Sequence, residues 1–303
     1  MVNKKKIILA LGCSYTDAKF YSTVEHLPPE KRGGWPVWPE VFKNQLEKET
    51  GKSYELINLG ASGIGHDYMF NQLVKYFAQY KDQIKIILWG GTQFHRRMDP
   101  VFERTYNSMA YDFMKSLSTK AAEAAFGEVW KHFCEYSLIA SANREFTKFG
   151  MKAIIDKNLS FIWLTLNMCN NYNIKFLYYQ LLSIYPEYNF VCDSLKAWGQ
   201  QTDKVSKQAL DKVWQSNYML DTKFAKDIIK NKKSFLGFQM FGEKAWDRQS
   251  REEKEMFRIY PFFNNSNAKP GWFDNTKADG HPNAAGHKDI GNKVWKHYVR
   301  NLA

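Results

Sequence analysis

The chain has 303 residues, of which 44% are hydrophobic and 16% aromatic, and this composition excludes a disordered polymer. Lys and Arg outnumber Asp and Glu by 43 to 31, so the formal net charge of +12 favours anionic partners. The basic residues are dispersed along the chain, and we therefore interpret the excess as a solvated surface and expect no nucleic-acid partner.

Cysteine spacing and hydropathy limit the cellular compartment. The four cysteines lie far apart with no C-x-x-C pair, which argues against a disulfide scaffold or a zinc site and is typical of a reducing compartment. The run from Lys4 to Cys13 imitates a secretion signal, but its apolar part is shorter than such signals require. No run is long enough to span a membrane. These observations predict a cytoplasmic or virion-associated protein.

Strands and helices alternate through the first ninety residues. Apolar runs predict strands at 6–12, 54–59 and 84–89. Helical patterns lie between them, at about 38–50, where Gly51 is expected to end the helix, and near 67–80. This alternation predicts a parallel sheet, which binds ligands at the carboxyl ends of its strands.

The pattern changes after residue 98. Residues 101–171 are predicted to form a mostly helical insertion, followed by a strand at 174–182. The aromatic-rich, charged stretch 187–270 is long for a loop, so we expect a lid or subdomain that borders the site. The last helix is predicted to begin near Pro282. A single domain then has its core in three stretches: about 6–97, 172–185 and 272–302.

Four short blocks fall at informative positions. They are Gly12-Cys13-Ser14-Tyr15-Thr16, Asn58-Leu59-Gly60-Ala61-Ser62-Gly63, Trp89-Gly90-Gly91-Thr92-Gln93 and Asp279-Gly280-His281-Pro282-Asn283. In these blocks the chain resembles the SGNH (GDSL) hydrolase family, with a first block like that of bacterial and phage-encoded members. It departs from the family pattern at Cys13, where Asp is usual, at Thr92, where Asn is usual, and in a last block that is one residue shorter. The resemblance implies an α/β three-layer sandwich with a flavodoxin-like parallel sheet.

The first and last blocks contain the parts of a nucleophilic hydrolase. A serine hydroxyl is a poor nucleophile until a positioned imidazole takes its proton, which makes Ser14 the candidate nucleophile and His281 its base. Asp279 is expected to accept the other ring N–H of His281, and Asp274 is the reserve candidate for this role.

The two middle blocks are expected to complete an oxyanion hole. The resemblance implies donation by the backbone N–H groups of Ser14 and Gly63, together with a side-chain donor from the third block. Either Thr92 or Gln93 supplies that donor. Arg96 could bind a substrate carboxylate or phosphate bidentately, or it could form a surface ion pair.

The resemblance implies a serine esterase that acts on small acyl esters, such as O-acetyl groups on a glycan, and requires no cofactor. No cluster in the sequence indicates a metal site. The alternative is a binding or assembly module that retains the fold without turnover, for example a virion-associated component. The missing Asn of the third block and the large aromatic insertion favour this alternative.

Overall fold

The computed structural model describes residues 5–19, 34–62, 64–92, 94, 97–99, 104–106, 148–181, 222–236 and 282–303. Its strands are β1 (Lys6–Gly12), β2 (Tyr54–Asn58), β3 (Ile84–Gly91), β4 (Arg97–Asp99), β5 (Arg104–Tyr106) and β6 (Lys175–Gln180). Its helices are α1 (Trp38–Thr50), α2 (His66–Tyr80), α3 (Lys148–Asn171), α4 (Lys223–Lys230) and α5 (Ala284–Asn301).

Four parallel strands form the central sheet in the order β2-β1-β3-β6. The predicted α/β architecture with a parallel sheet is thereby confirmed. β4 and β5 pair antiparallel as a separate two-stranded sheet. Thus the stretch predicted to be mostly helical contains β5 near its start and α3 at its end. Of the predicted lid at 187–270, only residues 222–236 are described, and its role stays a prediction.

The order of the strands produces three layers. The chain leaves β1 for β2 on one side and then returns to β3 on the other side of β1. Because parallel crossovers are right-handed, α1 and α2 lie on opposite faces of the sheet. α3 packs beside α2, and α5 packs against α1. The strand order reverses between β1 and β3, and ligands of open parallel sheets bind at such a reversal.

Apolar side chains from every layer meet in one core. Leu9 of β1, Ile87 of β3 and Leu177 of β6 are almost completely buried. An apolar stripe on α3 is buried as well, with members Ile155, Leu159, Ile162 and Leu166. Gly51 ends α1 in the left-handed conformation, with φ at 63°, as the sequence predicted. The strands and helices thus share one apolar core, and the loops of the candidate site leave it at the carboxyl ends of the strands.

The start of α5 lies near Pro282, as predicted. The helix begins at Ala284, two residues further on, and Asn283 is its N-cap. The Asn283 side chain accepts hydrogen bonds from the backbone N–H groups of Ala285 at 3.0 Å and Gly286 at 3.1 Å. These N–H groups have no partner within the helix, so a capping amide stabilises the start more than a proline does.

Candidate functional site

Ser14 lies in a tight turn at the carboxyl end of β1. The carbonyl oxygen of Cys13 accepts hydrogen bonds from the N–H groups of Thr16 at 2.8 Å and Asp17 at 3.1 Å, which closes a single helical turn. Ser14 is the second residue of this turn, and only 6% of it is exposed. The turn places Ser14 beside the reversal of strand order between β1 and β3, where the sequence predicted a nucleophile.

Thr16 anchors this turn, although the sequence analysis did not identify it. Its side chain is fully buried, and its hydroxyl accepts a hydrogen bond from Nε1 of Trp38 at 3.1 Å. A Cβ on Gly60 would lie 2.6 Å from the carbonyl carbon of Thr16, and one on Gly90 would lie 2.8 Å from its hydroxyl oxygen. Glycine is therefore required at both positions, because the turn approaches the ends of two neighbouring strands. These two glycines, together with Gly12, were the available signal in the sequence.

The second block is hydrogen-bonded to the same turn. Nδ2 of Asn58 donates to the carbonyl oxygen of Thr16 at 2.7 Å, while its Oδ1 accepts from the N–H of Gly60 at 2.9 Å. The N–H of Ser62 donates to Oδ2 of Asp17 at 3.1 Å. Hydrogen bonds therefore join the first block to the second block over residues Asn58 to Ser62. Gly63, the candidate oxyanion donor, lies outside the described residues.

Thr92 follows β3 at a position that corresponds to that of Ser14 after β1. Gly12 and Gly90 are register partners in the two strands, and each candidate residue stands two positions beyond its glycine. Thr92 is fully buried, and its hydroxyl has no hydrogen-bond partner within the described part of the chain. Gln93, the other candidate donor, and Arg96, the candidate substrate-binding residue, lie outside that part.

The last block is described only from Pro282 onward, so Asp274, Asp279 and His281 lie outside the described residues. The helix that follows is joined to the Ser14 turn through Trp38. The N–H of Trp38 donates to Nδ1 of His287 at 3.4 Å, and its indole N–H donates to Thr16. His287 is buried because α5 packs closely on the start of α1.

A buried polar cluster lies beneath the third block, and the sequence analysis did not identify it. The hydroxyl of Tyr178 donates to Oε1 of Gln180 and lies 3.4 Å from Nε2 of His66. Nε2 of Gln180 then donates to the carbonyl oxygen of Thr92 at 2.7 Å. Burial raises the pKa of Tyr178 well above its ordinary value, so its hydroxyl stays protonated. Tyr178 and Gln180 at the end of β6 were the available signal.

The described ranges hold neither a cluster of metal ligands nor a membrane-spanning helix. The described residues contain no group of three or more His, Cys, Asp or Glu side chains that could hold a metal ion. Burial raises the pKa of Cys169 to about 12, so this side chain stays a thiol and packs within the core. None of the helices in the described part is long and apolar enough to cross a membrane.

Comparisons with known proteins give only distant similarities. No protein-family model matches the chain, and no curated protein matches it. A lipase, Lip_vut3 from goat rumen metagenome, is similar at 12% identity and a TM-score of 0.36, over 97% of each chain. TesA is similar at 13% identity and a TM-score of 0.33, over 98% of this chain and 100% of that one. Similarities this low do not assign the chain to a family or an activity.

Proposed function

We propose that the protein is a serine esterase. The supporting observation is the position of Ser14 in a turn at the reversal of strand order, joined through Trp38 to the helix that follows His281. Residues so far apart in sequence act together only if the fold brings their segments to one edge of the sheet. The contacts of Thr16 and His287 with Trp38 support such a meeting.

The proposed reaction follows from the two side chains. His281 takes the hydroxyl proton as Oγ of Ser14 forms a bond to the acyl carbon, and the resulting imidazolium gives this proton to the departing alcohol. Water then attacks the acyl-enzyme with His281 again as the base, and this step releases the acid and restores Ser14. Asp279, or Asp274 in its place, orients the imidazole.

The substrate that we propose is a small acyl ester, such as an O-acetyl group carried by a glycan. The resemblance in the four blocks supports this class. The net charge of +12 favours an acidic glycan over a neutral one, because a positive surface raises the local concentration of an anionic polymer. The oxyanion is held by the backbone N–H groups of Ser14 and Gly63 and by a donor from the third block.

A covalent serine probe tests the proposal directly. We expect a fluorophosphonate to label the protein once, on the peptide that contains Ser14, because only an activated serine attacks such a phosphorus centre. Intact mass and peptide mapping measure the label, and the Ser14→Ala variant should remain unlabelled. Labelling at another serine would replace the proposed nucleophile. A protein that stays unlabelled at every serine would favour the binding module.

The role of the Thr92 hydroxyl is tested by Thr92→Val, which keeps the shape of the side chain and removes the hydroxyl. Because this hydroxyl is buried without a described partner, we expect unfolding free energy to stay equal or rise by about 1 kcal/mol. Since the side chain is fully enclosed, we also expect kcat to stay within about threefold of wild type, far from the loss caused by removal of an oxyanion donor. Thermal unfolding and steady-state kinetics measure both effects. A 10²- to 10³-fold loss of kcat would instead make Thr92 the third donor.

A further inference from the structure

Gln180 has a place in the fold that the esterase reaction above does not use. It is the last residue of β6, it is fully buried, and its amide reaches the backbone of the third block at Thr92. Tyr178 stands two residues earlier on the same face of β6 and donates its hydroxyl proton to the amide oxygen of Gln180. The pair therefore forms a directed chain of donors that ends on one backbone carbonyl.

The backbone of β3 leaves room for the side chains of Tyr178 and Gln180 because residue 91 is glycine. A Cβ on Gly91 would lie 2.5 Å from Oε1 of Gln180 and closer still to the hydroxyl of Tyr178. Any other residue at position 91 would displace the two side chains that support Thr92. The second glycine of the third block is thus explained by the cluster beneath it.

The geometry of the peptide bond extends the effect of this contact. A peptide unit is planar and trans, so a carbonyl held in one direction also fixes the direction of the N–H that follows it. Gln180 belongs to β6, on one side of β3, and the strand on the other side is β1, which leads to Ser14. The contact with Gln180 therefore fixes the direction of the Thr92 carbonyl, on the side of β3 away from β1.

The cluster also reaches the segment that follows the second block. His66, the first residue of α2, is fully buried with its ring stacked on Trp89 at 5.9 Å and in edge contact with Phe94 at 5.1 Å. Its Nε2 lies 3.4 Å from the hydroxyl of Tyr178. The cluster of Tyr178, Gln180 and His66 thus contacts both the third block and the segment that follows the second block. These are the two blocks beyond the Ser14 turn that are expected to supply oxyanion donors.

We propose that Gln180, held by Tyr178, is a positioning residue that fixes the Thr92 peptide and so sets how the third block faces Ser14. This inference rests on the proposed esterase function, which it deepens. Gln180 itself touches no substrate and acts only through Thr92.

The test compares Gln180→Met with the double variant Tyr178→Phe/Gln180→Met. Both variants remove the amide that donates to the Thr92 carbonyl. The single variant also takes the Gln180 acceptor from the Tyr178 hydroxyl, whereas the double variant removes that hydroxyl as well and should regain this part of the lost stability. We expect kcat to fall about 10- to 100-fold in both variants. This decrease is smaller than, or close to, the decrease caused by removal of a whole oxyanion donor. KM should stay within about twofold of the wild-type value. Tyr179→Phe is the matched control, because it removes a buried hydroxyl from the other face of β6 and should leave kcat unchanged.

A purely structural role makes the opposite prediction for the double variant. If activity recovers together with stability, Gln180 only supports the fold and the proposal is wrong. Hydrogen exchange over residues 86–94 gives a second readout that does not depend on turnover: we expect faster exchange in the double variant than in Tyr179→Phe, and equal exchange would overturn the proposal. Wild type and Ser14→Ala are assayed in parallel. If wild type shows no Ser14-dependent hydrolysis, the esterase function fails, and exchange alone decides whether Gln180 positions the third block.

Discussion

Replacement of Ser14 by alanine is expected to abolish ester hydrolysis and to leave the fold intact. Loss of the nucleophile from a serine–histidine unit lowers kcat by about 10⁴-fold or more, because the remaining oxyanion donors and binding contacts supply only a small part of the acceleration. The fold should tolerate the change, since a single hydroxyl in a turn contributes about 1 kcal/mol or less. Hydrolysis of p-nitrophenyl acetate and thermal unfolding measure the two effects.

Ser62→Ala provides the matched control for this substitution. Ser62 is half-buried in the second block, and its contact with the first block is made by its backbone N–H, which alanine retains. Its activity should therefore stay close to that of wild type. Full activity in Ser14→Ala, or a larger loss in Ser62→Ala, would show that the nucleophile has been assigned to the wrong serine.

Replacement of His281 by alanine is expected to reduce kcat nearly as much as loss of Ser14, by about 10⁴-fold. Without the imidazole the hydroxyl proton has no acceptor, so the serine is no longer an effective nucleophile. Because the two residues act as a unit, the double variant Ser14→Ala/His281→Ala should be no slower than either single variant. Kinetics of the three variants on one ester form the complete cycle.

His287→Ala is the control within the same segment. His287 is buried and accepts a hydrogen bond from the N–H of Trp38, so its loss should lower unfolding free energy by about 1–3 kcal/mol. His281→Ala should lower activity with little change in stability, and His287→Ala should do the reverse. If the decreases in kcat caused by Ser14→Ala and His281→Ala were strictly additive in the double variant Ser14→Ala/His281→Ala, the two residues would not act together.

The sequence by itself determined the α/β class and the positions of the main elements. Strand predictions at 6–12, 54–59 and 84–89 agree with β1, β2 and β3 to within two residues at each end. β1 was predictable because a parallel strand that is buried on both faces appears as an apolar run, whereas β2 is only half-buried and was placed by its short apolar stretch Leu56-Ile57. The stop of α1 at Gly51 was also predictable, because a left-handed residue at a helix end is a local requirement.

The candidate nucleophile was predictable for a related reason. Ser14 follows an apolar strand directly, so its place at the carboxyl end of β1 depends only on local sequence. The last block was harder to place. Asn283 rather than Pro282 determines where α5 begins, because the cap depends on a side chain that turns back to bind two backbone N–H groups.

Only the tertiary structure decided how the blocks are held together. Trp38 joins Thr16 to His287, and Gln180 reaches Thr92, through contacts between residues that are distant in the chain. Such contacts leave no periodic signal, since each depends on the strand order and on the register of neighbouring strands. The burial of a polar side chain is likewise decided by what packs around it, and for this reason Thr16, Gln180 and His287 acquire their roles only in the folded protein.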